Sequence, residues 1–223
     1  MQAGDIGKPY YLRIQYDSWE GLRPDWRVGW REKQDLAGGG MLYDRGSHIF
    51  DVARFVLGPI ETVTGFVHHI SRPRTDSLVE EQVDVETDDI AAAWFRYRNG
   101  VRGQWFISRV TPRYTENGWH LEVIGSEGAL KASLSRGTVD ALKISCPAQP
   151  EWQELPLPEE ARDAKPHCLG IMMRSFVDAC LRGKINSDID ASFHDGLAAQ
   201  EAIAAIMEAN DRLLWVPLKH PTY

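Results

Sequence analysis

The chain has 223 residues, of which 25 are basic and 32 acidic, for a net charge of −7, with 43% apolar and 26% charged. That is the make-up of a soluble globular protein able to bury a substantial core, and its acidic balance argues against nucleic acid as a partner. No run of about 18 apolar residues predicts a membrane span. No basic-then-apolar leader follows Met1. Cys146, Cys168 and Cys180 are an odd count at spacings unsuited to a metal, which fits a reducing, cytoplasmic setting.

Tyr10 to Tyr16 alternates: Tyr10, Leu12, Ile14 and Tyr16 face one way, Arg13 and Gln15 the other. This predicts a half-buried strand. Residues 17 to 35 read as a loop holding Trp19, Trp26 and Trp30. Tryptophans in an irregular segment either pin it to the sheet or wall a ligand. Trp19 is read as packing, and both readings stay open for Trp26 and Trp30.

The central run is Gly38-Gly39-Gly40, then a helical pattern from Met41 that Gly58-Pro59 stops. Asp44, His48 and Asp51 fall at i, i+4 and i+7 and so share a helix face. An imidazole exchanges protons near neutral pH, and a carboxylate one turn before it holds its tautomer. Asp44 and His48 are therefore a candidate acid/base dyad. The same spacing also suits a solvated surface pair, or part of a metal site with Asp51.

Residues 61 to 70 form a predicted strand ending in His68 and His69, whose opposed directions forbid a joint chelate. Residues 71 to 86 read as a polar connection. Residues 89 to 97 and 101 to 110 predict a hairpin around Asn99-Gly100. Read as a two-residue turn, it puts Trp94 with Trp105 and Ile107 on one face, and Phe95 and Tyr97 with Phe106 on the other. A sheet apolar on both faces needs both covered. Helices serve one, and a second subunit is expected on the other, giving a homodimer or higher oligomer. Strands follow at 119 to 124, 128 to 134, 138 to 145 and, as an edge, 152 to 157. His120 sits within the first of these and needs no special role. A helix is predicted over 167 to 182, with Leu169, Met172, Met173, Phe176, Cys180 and Leu181 on one stripe. Another, opened by a Ser192–Asp195 capping box, runs to about Leu214. Residues 215 to 218 suggest a short edge strand. The expected fold is α+β: one open, mostly antiparallel sheet with helices packed on one face.

Trp30-Arg31, Ala37-Gly38-Gly39-Gly40, then Leu42, Asp44, Gly46, His48 and Asp51, closed by Gly58, resemble the central motif of the Gfo/Idh/MocA oxidoreductases. Gly4-Asp5-Ile6-Gly7-Lys8-Pro9 resembles the opening phrase of that family's C-terminal domain. The likeness continues through Glu122 to Leu130 and the closing helices, covering residues 1–223 but only one of the family's two domains. The family's other domain binds NAD(P) through Gly-x-Gly-x-x-Gly, a run this sequence lacks. Glu32-Lys33-Gln34 does not match the family's Glu-Lys-Pro phrase, so no catalytic role passes to Lys33.

The resemblance implies the substrate-binding, catalytic and oligomerisation half of an NAD- or NADP-dependent oxidoreductase acting on a CH–OH group of a sugar or polyol. It implies that His48 takes the hydroxyl proton and Asp44 orients it, with Asp51 anchoring the helix. It places Trp30 and Arg31 near the nicotinamide or substrate. His167, after Pro166 at a helix start, is a further candidate for the pocket wall. The chain alone is expected to bind no dinucleotide and no metal and to be inactive, with a separate nucleotide-binding domain as a candidate partner. Two other classes remain: a non-catalytic oligomerisation or ligand-sensing module, and a metal-dependent hydrolase built on Asp44, His48 and Asp51.

Overall fold

Alternating segments pair into a nine-stranded sheet in the computed structural model, which describes residues 5–70, 72–112, 118–135, 138–157, 168–186 and 190–219. The strands are β1 Pro9–Asp17, β2 Ile60–His68, β3 Pro73–Thr75, β4 Gln82–Asp84, β5 Ile90–Tyr97, β6 Arg102–Ser108, β7 Gly118–Gly125, β8 Ala129–Ser135, β9 Thr138–Cys146, β10 Gln149–Glu154 and β11 Val216–Pro217. The sheet runs β10-β9-β8-β7-β1-β6-β5-β2-β11, while β3 and β4 form a small separate hairpin within the segment 71–86. Among the described strands of the sheet, β1 and β6 pair in parallel and the other neighbours are antiparallel. The helices are α1 Gln34–Ala37, α2 Met41–Asp44, α3 Gly46–Leu57, α4 Cys168–Arg182 and α5 Phe193–Arg212. Among the described residues, no helix is long and apolar enough to cross a membrane.

One face of the sheet meets α3 and α5. Leu12 and Ile14 of β1, Val63 of β2, Phe95 and Tyr97 of β5, and Trp105 and Ile107 of β6 are buried with Phe50 and Ile49 of α3 and Ile203 and Ile206 of α5. Phe50 meets Trp105 edge-on at 5.6 Å, the favoured aromatic geometry. The Tyr97 hydroxyl donates to the Ala53 carbonyl at 3.0 Å, so its one polar atom is satisfied inside the core. Tyr10 leaves the alternation: a register shift between Pro9 and Tyr11 puts it out to solvent.

The β5–β6 hairpin corrects the expected faces. Tyr97 N–H donates to Val101 O at 2.9 Å, and Gly100, at φ +87°, donates to Tyr97 O at 3.0 Å. The loop therefore has three residues, Arg98 to Gly100, and Arg96 pairs with Arg102. A slip of one residue swaps the faces. Trp94 opposes Gln104 and Ala92 opposes Phe106 on the outer side, while Phe95 and Trp105 both point into the core.

The outer face is the one opposite α3 and α5. Phe66 and Trp94 stand exposed on it, beside a charge ladder in which Glu122 pairs with Arg13 at 3.0 Å and Lys131 at 3.5 Å. The two closing helices differ sharply. α5 is buried through Ala198, Ala199, Ala202, Ile203, Ala205, Ile206 and Ala209. Its predicted capping box is formed: the Ser192 hydroxyl accepts from the His194 amide, and Asp195 accepts from the Ser192 amide at 2.8 Å. In α4, Leu169, Met172, Met173, Phe176 and Leu181 are all exposed, Phe176 by 62% and Leu181 by 81%. None of its described residues is buried.

Candidate functional site

The glycine run builds one wall of a cavity. Gly38, at φ +75°, closes α1 by donating to Gln34 O at 2.9 Å, a backbone state that favours glycine. Gly40 then presses against the start of β5, where a Cβ would stand 2.1 Å from the Asp88 carbonyl oxygen. The contact leaves no room for a side chain. α2 begins there, and the amides of a helix's first turn have no partner within the helix. Asp88 supplies partners for three of them: its carboxylate accepts from Gly40 at 2.6 Å and Leu42 at 2.9 Å, and its carbonyl accepts from Met41 at 3.1 Å. Burial raises the Asp88 carboxyl above its ordinary value, and the amide bonds and Arg109 oppose it only in part.

The neighbouring Asp89 has the opposite fate. Burial pushes it up too, but Arg72, bidentate at 2.8 and 2.7 Å, and Arg109, at 2.7 Å, hold it below the ordinary range. Arg109 is buried and extensively bonded. Its Nη1 donates to Glu32 at 3.2 Å and its Nη2 to the Thr87 carbonyl and hydroxyl at 3.3 and 3.1 Å. The Thr87 hydroxyl donates in turn to the Arg31 carbonyl at 3.1 Å. This network clamps the turn Trp30–Glu32 to the sheet and makes it the opposite wall. Trp26, one of the two loop tryptophans left open, lies within 5.1 to 5.9 Å of the guanidiniums of Arg72, Arg74 and Arg109. It does not line the cavity; it packs the loop through cation–π contacts.

Between the walls lies a cavity of about 210 Å³ whose lining includes Trp30, Arg31, Gly39, Tyr43, Asp44 and Arg109. The Trp30 ring is 55% exposed and the Arg31 guanidinium stands 4.2 Å over it. The space thus offers a flat aromatic face, a carboxylate, a phenol and guanidinium donors, the means to hold a polyhydroxylated ring.

The structure brings Trp30, Arg31 and Asp44 together. His48 is exposed and does not line the cavity. The expected unbroken helix is interrupted at Arg45, so Asp44 ends α2 while His48 and Asp51 lie on α3. The Asp44 carboxylate pairs with Arg45 at 3.1 Å, and Arg45 lies 5.2 Å over the Tyr16 ring. Asp51 is raised, first by burial and then by Asp195, with Arg54 and His48 opposing. His167 lies outside the described residues. Among the described residues, no three His, Cys, Asp or Glu side chains are grouped to hold a metal. Sequence reasoning missed Tyr43, Asp88, Asp89 and Arg109. The adjacent Asp88-Asp89 ahead of an apolar strand was the one visible sign.

The family implies a dinucleotide, and the glycine turn does not fit one. A pyrophosphate needs free amides at a helix start, but those of Gly40, Met41 and Leu42 are taken by Asp88, and a carboxylate stands where a phosphate would bind.

Comparison with known proteins identifies the family. The family model described as the GFO/IDH/MocA C-terminal domain matches residues 1–131, and the chain belongs to that family. It is 28% identical over 202 residues to a scyllo-inositol 2-dehydrogenase (NAD(+)) of Bacillus subtilis (strain 168), covering 87% of this chain and 51% of that protein. The fold is shared with a levoglucosan dehydrogenase in complex with NADH, at TM-score 0.84 and 22% identity, over 99% of this chain and 61% of that one. An NAD binding oxidoreductase from Klebsiella pneumoniae matches at TM-score 0.81 and 25% identity, over 98% and 61%. The chain spans about half the length of that Bacillus subtilis relative.

Proposed function

We propose that this chain is the substrate-binding and catalytic half of an NAD(P)-dependent oxidoreductase acting on a CH–OH group of a sugar, polyol or related ligand. One observation supports this above others: the family's glycine motif here becomes the wall of a cavity that joins Trp30, Arg31, Tyr43 and Asp44. The relative at 28% identity is named for an inositol, and the levoglucosan dehydrogenase has been solved with NADH and L-sorbose.

In this reading the Trp30 face packs against the C–H side of the ligand ring, and Arg31 and Tyr43 donate to its hydroxyls. His48 takes the proton of the reacting hydroxyl, and Asp44 orients and charges it. The Asp44–Arg45 pair must then exchange for Asp44–His48 when substrate enters. A dinucleotide-binding domain, in the same or another polypeptide, would hold NAD(P), which would supply the hydride acceptor. By itself the chain would bind no dinucleotide and show no dehydrogenase activity. The test is to join or mix the chain with such a domain and follow NAD(P) reduction with a polyol panel. Activity should appear only in the combination, and His48→Ala should lower kcat about 10²- to 10⁴-fold. Full activity in His48→Ala would overturn the assignment.

The outer sheet face is assigned to a second copy of the chain. Phe66 and Trp94 are exposed there, and the Arg13–Glu122–Lys131 ladder pairs its charges within the chain, leaving less net charge to repel a copy. Trp94→Asp should shift sedimentation toward the monomer. Cys146 and Cys180 are unpaired thiols, in keeping with a cytoplasmic setting.

A further inference from the structure

We propose that Asp88 is a positioning residue for the cavity, one that transmits the rigidity of the sheet to the glycine wall. This rests on the function proposed above only for its kinetic arm.

The first turn of a helix is ordinarily capped by the side chain of its own N-cap residue. The N-cap of α2 is Gly40, which has none. Asp88, 48 residues away, replaces it with two carboxylate bonds and one carbonyl bond. The peptide that carries it is fixed in turn. The Asp89 amide donates to His68 O at 2.9 Å, Arg109 N donates to Asp89 O at 3.1 Å, and the Asp89 carboxylate is held by two guanidiniums. The path is continuous: sheet, Asp89, Asp88, Gly40, α2. Tyr43 and Asp44 ride on α2 and line the cavity. A helix of four residues cannot hold itself, so its placement depends on this outside cap. A negative carboxylate at the positive end of the turn adds to the hold.

The test is amide hydrogen exchange on the chain itself. Asp88→Ala should speed exchange at Gly40 and Leu42 about tenfold. Asp88→Asn, which keeps one acceptor oxygen, should do so less. The Ile70 amide, bonded to Asp89 at 2.9 Å, should be unchanged in both. Ile203→Val, a core change away from the cavity, serves as a control for general loss of stability. In the combined enzyme, Asp88→Ala should lower kcat about tenfold and Asp88→Asn should restore most of it. Exchange at Gly40 and Leu42 at the native rate in Asp88→Ala would overturn the proposal. So would acceleration no greater there than in Ile203→Val. If the combined native enzyme is inactive, the functional reading falls, and the exchange result still decides the role of Asp88.

Discussion

The two closing helices, α4 and α5, start from similar raw material and end in opposite places. α4 has the more sharply segregated apolar stripe, with leucine, methionine and phenylalanine along it, and that stripe is exposed. α5 is a milder amphipath rich in alanine, and it is buried against β2 and α3. Small side chains allow the close approach, and specific anchors fix it: Arg54 of α3 to Asp195 at 3.1 Å, and Asn210 accepting from the Val67 amide at 3.1 Å. Hydrophobic periodicity shows that a face seeks cover. Whether the chain itself supplies that cover depends on contacts far away in sequence.

If covered and uncovered regions differ in this way, substitutions should separate them. The largest effect is expected in the buried clamp. Arg109→Leu leaves the Glu32 carboxylate without its guanidinium and Asp89 with Arg72 alone, and should cost about 3–5 kcal/mol in urea unfolding. Next comes the covered helix, where Ile206→Ala should cost about 2–5 kcal/mol through cavity formation. The equivalent truncation on the uncovered helix, Phe176→Ala, should stay within about 0.5 kcal/mol in the chain alone. A cost above 2 kcal/mol there would mean that α4 is covered in solution.

A smaller, pH-dependent effect should track the clamp. The folded Asp89 carboxyl lies below its unfolded value, so its stabilising contribution is complete above the unfolded pKa, about 3.9. It is lost as pH falls through the lower, folded value. Asp88 has the opposite sign: its folded pKa is raised, so acidification through that value adds stability. Stability measured against pH in Asp88→Asn should lack that gain and keep the loss due to Asp89.

Much of the fold was legible because its signals are local. The alternation in β1 and β7, the Ser192–Asp195 box and the Gly58 stop each lie within a few residues. The central motif was also legible: it set Trp30 and Arg31 beside the ligand that Asp44 and His48 were expected to serve, and of these the cavity lining holds Trp30, Arg31 and Asp44 but not His48. The missed features are non-local or hinge on one residue of register. Asn99-Gly100 marked the hairpin, but a three-residue loop rather than a two-residue turn moved Trp94 to the outer face. The parallel pairing of β1 with β6 joins segments about ninety residues apart. Arg109 reaches Glu32 across 77 positions, and Asp88 reaches Gly40 across 48. A buried cap supplied from another strand leaves no local pattern around the helix that it serves.

The proposed substrate cavity lies within this chain, between Trp30 and Asp44. It is tested most directly by titrating the chain alone with scyllo-inositol and levoglucosan while following backbone amide resonances. The predicted result is a saturable shift confined to Arg31, Gly39, Tyr43, Asp44 and their neighbours, weakened in Asp44→Ala. Saturable shifts on the outer sheet face, or none at the glycine turn at any concentration, would contradict it.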